Sequence, residues 1–287
     1  GVFLVEPPPH RWNKDRGQRI IHIDFVPAET DKHYGCLVEV VGDLAHSLWG
    51  LSERADAAAA AGSSPFPRDY PDFAAIRDDM LRDFAEFADD DEETGLVKPE
   101  KVLWEVRRAL GDEDILISDV GAHKMWVARY YQTPTPNTVI IGNGFCSMGI
   151  ALPGIIGAKL ARPDATVLAV CGDGGFLMNV QEMETIRRLG FKRVVVMVWV
   201  DSALGLIEWK QQNHFGRHTD LSFANPDFDL LARAFDWAPF TVTGPASLAS
   251  TLADALAADK PALVTIPIDY ARNDALTKKL GEITIRS

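Results

Sequence analysis

Cysteine is scarce in this chain, and what there is does not pair. Cys36, Cys146 and Cys171 form no C-x-x-C, so neither a zinc ribbon nor a disulfide framework is suggested. Cys146 and Cys171 stand in apolar sequence and read as small buried residues rather than nucleophiles. Basic residues are in deficit: 29 Lys and Arg against 41 Asp and Glu leave a net charge of −12. That balance argues against nucleic acid and anionic membrane surfaces as partners. No apolar run reaches the roughly 20 residues that a membrane-spanning helix requires, and no basic segment backed by an apolar core opens the chain as a secretory signal would. Pyridine-nucleotide and P-loop glycine fingerprints are absent too, which sets aside dehydrogenases and kinases. Ser147 lacks the G-x-S-x-G setting of a serine hydrolase. The expectation left standing is a soluble, cytoplasmic enzyme.

Against these absences, 287 residues with 47% hydrophobic content are ample for a sizeable core in one or two domains. Gly1–Val5 reads as a strand cut into midway, and Pro7-Pro8-Pro9 as a stiff turn. Arg19–Phe25 and Val38–Val41 read as strands, with a helix opening at Gly42-Asp43 and reaching about Arg54. Asp24 and Asp43 could bind a nucleotide, but without a glycine fingerprint before them they read as turn residues at strand ends. His22 reads as a packed or surface histidine. Residues 57–95 are linker-like, because Gly62-Ser63-Ser64-Pro65, Pro67 and Pro71 interrupt any helix. Within them Asp72–Ala88 has helical spacing, its aromatic stripe a packing face, and Asp89–Glu93 is a solvated acidic run.

From residue 96 onward the rhythm is βα. Pro99 suits the first turn of a helix. Ile115–Ser118 and Val139–Ile141 read as strands, each followed by glycines, and Ile150–Leu160 as a helix with Pro153 in its first turn. The central stretch runs from Val167 to Gly205. Its apolar run Val167–Cys171 stops at Gly172-Asp173-Gly174-Gly175, a helical segment carries Phe176, Met183, Ile186 and Leu189, and a second apolar run, Val194–Val200, stops at Asp201-Ser202-Ala203. This is a βαβ unit of a parallel sheet covered on both faces, so the fold class is α/β, doubly wound. Asp173 and Asp201 then sit at the carboxyl ends of parallel strands, where such sheets bind ligands. Glycines beside Asp173 let backbone N–H groups approach an anion, and two carboxylates plus a phosphate make an oxygen-rich site for Mg²⁺. Taken singly, each aspartate could be no more than a cap or turn residue.

The segment GDGGFLMNVQEMETIRRLGFKRVVVMVWVDSALG resembles the thiamin diphosphate (ThDP) motif. That motif commonly closes on Asn-Asn. Val200-Asp201 stands there instead, and Asp in the second place is similar to the catabolic acetolactate synthases. The resemblance covers nearly the whole chain apart from the linker. It implies that residues 1–56 are the end of a Rossmann-like middle domain and 96–287 the ThDP diphosphate-binding domain. It implies Mg²⁺ ligands at Asp173, Asp201 and the Ala203 carbonyl. Gly172, Gly174 and Gly175 together with Val120, Gly121 and His123 form the implied cofactor cradle, and Leu204 and Gly205 close it. Ala122 stands where Gln is frequent, which removes one polar contact. Met148 takes the place of the bulky residue that bends ThDP, and the backbone at Cys146 and Met148 faces the aminopyrimidine. Leu206, Ile207 and Gln211 are implied as substrate-lining residues.

The implied reaction joins two pyruvates to 2-acetolactate with loss of CO₂, in branched-chain amino acid biosynthesis or in acetoin formation. Enzymes of this kind draw a ring-activating glutamate from a separate pyrimidine-binding domain. No segment here reads as that domain, so the chain is expected to be a fragment or one chain of two, inert alone, with that domain as its partner and a homodimer or homotetramer of complete chains as the assembly. Two alternatives stay open at this point: another ThDP-dependent decarboxylase, carboligase or oxidase, and a non-catalytic homologue that kept the fold.

Overall fold

Val194–Val200 is an unbroken run of seven apolar residues, and such a run is at home only where both faces of a strand are covered. In the computed structural model it is strand β6, at the centre of a sheet. The structure describes residues 9–63, 91–274 and 276, with Ala75, Asp78, Asp79, Leu81, Arg82, Ala85 and Glu86 between them. The strand expected over Gly1–Val5, Pro7 and Pro8, and most of the Asp72–Ala88 segment lie outside the described residues.

The chain divides into two compact units, residues 3–76 and residues 77–278 forming the bulk of each. In the smaller unit, β1 (Ile20–Asp24) and β2 (Cys36–Val41) pair in parallel. Helix α1 (Leu44–Ala60) follows, with the Asp43 carboxylate capping it through the His46 N–H at 2.7 Å. Asp24 accepts the N–H of Phe25 at 2.6 Å and closes a turn. Both aspartates therefore serve as cap and turn. The helix does not stop at Arg54: it continues through the alanines, the best helix formers, and breaks at Gly62, whose φ is 71°.

The larger unit opens with α2 (Pro99–Ala109), then β3 (Ile115–Ser118), α3 (Ala122–Tyr130), β4 (Val139–Ile141), α4 (Ala151–Ala161), β5 (Val167–Gly172), α5 (Asp173–Met178), α6 (Glu182–Arg188) and β6. After β6 come α7 (Gly205–Phe215), α8 (Phe228–Ala234), β7 (Ala238–Thr241), α9 (Leu248–Ala257) and β8 (Ala262–Pro267). The sheet order is β4-β3-β5-β6-β8-β7, all neighbours parallel. Alternate residues of each strand feed two separate cores. Val195, Met197 and Trp199 pack with Leu103, Val106, Trp126 and Leu252 on one face, while Val194, Val196 and Val198 pack with Leu152, Ile155, Phe176 and Met183 on the other. Burying side chains of this size contributes roughly 1.5–3 kcal/mol each, which fixes the strands and therefore the loops at their ends.

The helical segment expected after Gly175 is two helices. It breaks at Asn179, whose carbonyl starts the next turn by accepting the Glu182 N–H at 3.0 Å.

Candidate functional site

From β3 the chain runs outward to β4 and then crosses back to β5 on the opposite side. That reversal leaves a crevice at the carboxyl ends of β3 and β5, the standard ligand position in an open parallel sheet. The loops after β3, β4, β5 and β6 all open into it.

Asp173 follows β5 and is 1% exposed. Its Oδ1 accepts the Gly174 N–H at 2.8 Å, and its Oδ2 accepts the Ser202 N–H and the Asn225 amide, each at 2.8 Å. Asp201 follows β6. Burial, and then the nearby charge of Asp173, push its carboxyl up to about 7. The backbone is tight around both. A Cβ at Gly205 would stand 2.6 Å from Asp201 Oδ2, and one at Gly174 would stand 3.0 Å from Leu204. Asn225 also donates to Ser202 Oγ at 3.1 Å, while its own amide oxygen is buried without a hydrogen-bond partner among the described residues. The two carboxylates are hard oxygen donors, suited to a divalent cation such as Mg²⁺ and unsuited to zinc. Among the described residues there is no cluster of three His, Cys, Asp or Glu side chains.

After β3, His123 is buried, and burial holds its pKa down at about 4, so the ring is neutral above that pH. Its Nε2 has no hydrogen-bond partner among the described residues. The ring lies against Gly121, where a Cβ would meet Cε1 at 2.6 Å. After β4, the loop from Gly142 to Gly149 winds through left-handed backbone at Gly144, Cys146 and Gly149 (φ 83°, 53° and 85°). Cys146 is half-buried on this loop and not the core residue its neighbours suggested, because the left-handed turn lifts it away from the sheet.

These loops enclose one cleft of about 220 Å³. Every residue named from the sequence as a site candidate lines it, with one exception. Gln211 faces elsewhere: its Oε1 accepts from the Thr219 N–H at 2.9 Å and the Thr219 hydroxyl at 3.1 Å, which ties it to the loop after α7. Helical periodicity puts Leu206, Ile207 and Lys210 on the cleft side of α7 instead. Lys210 and Tyr270 are lining residues that sequence reasoning missed. It also missed Asn225, marked in sequence only by an Asn-Pro turn, and Asp119. Asp119 is fully buried and accepts the backbone N–H groups of Val120, Gly149 and Ala151. Burial raises its pKa although all of these bonds lower it.

Residues 119–266, over half of the chain, match the family described as thiamine pyrophosphate enzyme, C-terminal TPP binding domain. The chain belongs to this family. It is 30% identical over 294 residues to the acetolactate synthase of Bacillus subtilis (strain 168), covering 99% of this chain and 49% of that protein. It is 32% identical over 288 residues to the catabolic acetolactate synthase of Raoultella terrigena, covering 98% and 49%. A putative thiamine pyrophosphate-containing protein of B. subtilis, YdaP, is 29% identical over 268 residues, covering 93% and 45%. The chain thus spans about half the length of the curated relatives it matches.

Proposed function

We propose that this chain supplies the diphosphate- and Mg²⁺-binding part of an enzyme that condenses two pyruvates to 2-acetolactate with loss of CO₂. The observation that carries the proposal is the pairing of fully buried Asp173 with half-buried Asp201 at the reversal point of a parallel sheet. Carboxylates buried side by side repel one another, and a divalent cation removes that cost. The residues fit the diphosphate as well: the Gly121 and Gly174 backbones approach the cleft without room for a side chain, and His123 holds an unpartnered ring nitrogen among its walls.

Asp173 and Asp201 would hold Mg²⁺, joined by the Ala203 carbonyl, with Asn225 steadying the Asp173 carboxylate through its amide N–H. Val120, Gly121, His123, Gly174 and Gly175 would line the diphosphate, with the Nε2 of His123 the open position of its ring. When bound, ThDP supplies the electron sink needed to decarboxylate a 2-oxo acid. Met148 would support its rings, and Leu206 and Ile207 would help keep water from the reacting carbon. Lys210 is the cationic side chain at this end of the cleft and suits the carboxylate of pyruvate.

No glutamate lines the cleft among the described residues. The ring-activating glutamate would come from a pyrimidine-binding domain acting as partner, in a homodimer or homotetramer of complete polypeptides in the cytoplasm. Two experiments test the proposal. Calorimetric titration with ThDP should show Mg²⁺-dependent binding that Asp173→Ala and Asp201→Ala abolish, and unchanged binding in both variants would refute the site. Assay of the 287-residue chain with pyruvate, Mg²⁺ and ThDP should give no acetolactate until the partner domain is added. Product without it would refute the division of labour.

A further inference from the structure

We infer that Asp119 and Asn179 are positioning residues which together clamp the Met148–Gly149 turn onto the floor of the cleft. The inference about what the turn does there rests on the proposed function; the clamp itself is a matter of geometry. Gly149 is held by both of its backbone polar atoms. Its N–H donates to the Asp119 carboxylate, 2.9 Å from Oδ1 and 3.1 Å from Oδ2. Its carbonyl accepts from Asn179 Nδ2 at 2.8 Å. The same Asp119 carboxylate takes the Val120 N–H at 2.6 Å and the Ala151 N–H at 3.3 Å. One fully buried side chain at the end of β3 therefore fixes its own loop, the turn carrying Met148 and the start of α4.

Two further features point the same way. Gly149 has φ 85°, and a Cβ there would lie 2.7 Å from Asn179 Nδ2 and 3.1 Å from Met178 Cβ, so the turn is seated without slack. Asn179 stands where α5 gives way to α6, one turn after the Gly172–Gly175 run, and the break in the helix is what turns its amide toward Gly149. Asp119 also lies 3.4 Å from where a Cβ of Gly175 would be. The clamp thus joins the loops after β3, β4 and β5. Elsewhere on its loop, Phe145 is 92% exposed, so the turn draws its position from this end. A buried carboxylate is an expensive acceptor unless several donors share it, and its use here is explained by the three N–H groups it gathers.

Cys146 reports on the turn and Cys171, buried in β5, reports on the sheet. In a Cys36→Ser background, the rate of disulfide exchange with DTNB should rise about tenfold at Cys146 in Asn179→Ala, the equilibrium worth of one hydrogen bond, with Cys171 still protected. Asp119→Asn should do the same, since its amide turns N–H against N–H. Cys146 reactivity at the parent rate in both variants overturns the inference, as does equal acceleration of Cys146 and Cys171, which would mean general loosening. Mg²⁺-dependent ThDP affinity, measured on the same proteins, should fall by a similar factor. Faster Cys146 labelling with no ThDP binding even in the parent would leave the clamp standing and sink the functional reading.

Discussion

Gly205→Ala separates folding from cation binding more cleanly than removing a ligand does. Gly205 opens α7, and a Cβ there would lie 2.6 Å from Asp201 Oδ2 and 3.7 Å from its Cγ. The obstacle is the tip of a side chain, so the carboxylate retreats by roughly 1 Å to ordinary contact distance. An off-rotamer side chain costs about 0.5–1.5 kcal/mol, while Ala in place of helical Gly recovers up to about 1 kcal/mol. Stability should therefore stay within about 1 kcal/mol of the parent. Binding should not. Misplacing a charged oxygen forfeits about 1.5–3 kcal/mol, a rise of about 10- to 150-fold in the Mg²⁺ concentration that half-saturates ThDP binding. Calorimetry at fixed ThDP with varied Mg²⁺, beside urea denaturation, measures both. Gly157→Ala in α4 is the control: nothing lies within 4 Å of its Cβ position, so it should stabilise the protein without altering binding. Unchanged Mg²⁺ dependence in folded Gly205→Ala would refute the assignment of Asp201 to the metal.

Three other perturbations follow from the same geometry. His123 has a pKa held down at about 4 against 6.5 unfolded, so the unfolded chain takes up a proton that the folded one refuses, and stability is full above pH 6.5 and falls by roughly 3 kcal/mol as pH drops toward 4. His123→Gln should flatten that part of the urea-midpoint profile, and superimposable slopes would refute the burial argument; the comparison removes the contribution of Asp201, whose raised pKa makes stability fall as pH rises toward 7. Lys210→Glu in the active assembly should raise KM for pyruvate by about 3- to 10-fold, limited by its exposure, with kcat within about twofold, and an unchanged KM would remove Lys210 from substrate binding. Trp237→Phe takes away the indole N–H that the Met183 carbonyl accepts at 3.1 Å in a fully buried setting, and should cost about 2 kcal/mol in urea unfolding, with a loss below 0.5 kcal/mol counting against it.

The central strands were legible because a parallel sheet buried on both faces writes itself as unbroken apolar runs. Ile115–Ser118 and Val194–Val200 carry the same limits in sequence and structure, as does the partly exposed edge strand Val139–Ile141. Helix ends were less so. The spacing of Phe176, Met183, Ile186 and Leu189 is continuous, and nothing local reports that the chain breaks at Asn179. The break answers to Gly149, 30 residues away. Gln211 failed for a related reason, since its partner Thr219 lies in an irregular loop that pattern reasoning does not fold.

Site residues divide along the same line. Several of those legible in sequence, Val120, Gly121, Asp173 and Asp201 among them, stand at or just after a strand end, where position along the chain already gives position in space. Asp119 follows a strand too, yet its role lies in bonds to Gly149 and Ala151 and is invisible without the fold; Asn225 reaches Asp173 across 52 residues. Local rules also fail where function imposes a cost. Nothing in folding favours a second, half-buried acid near Asp173, and its raised pKa shows that the fold resists the charge. The cores on both sheet faces are extensive enough to carry that penalty, so the pair persists, and a cation entering between the carboxylates would be bound partly by the repulsion it relieves. On the proposed assignment, a cation at this pair would add to stability by binding the folded state alone, most directly at the loops after β5 and β6.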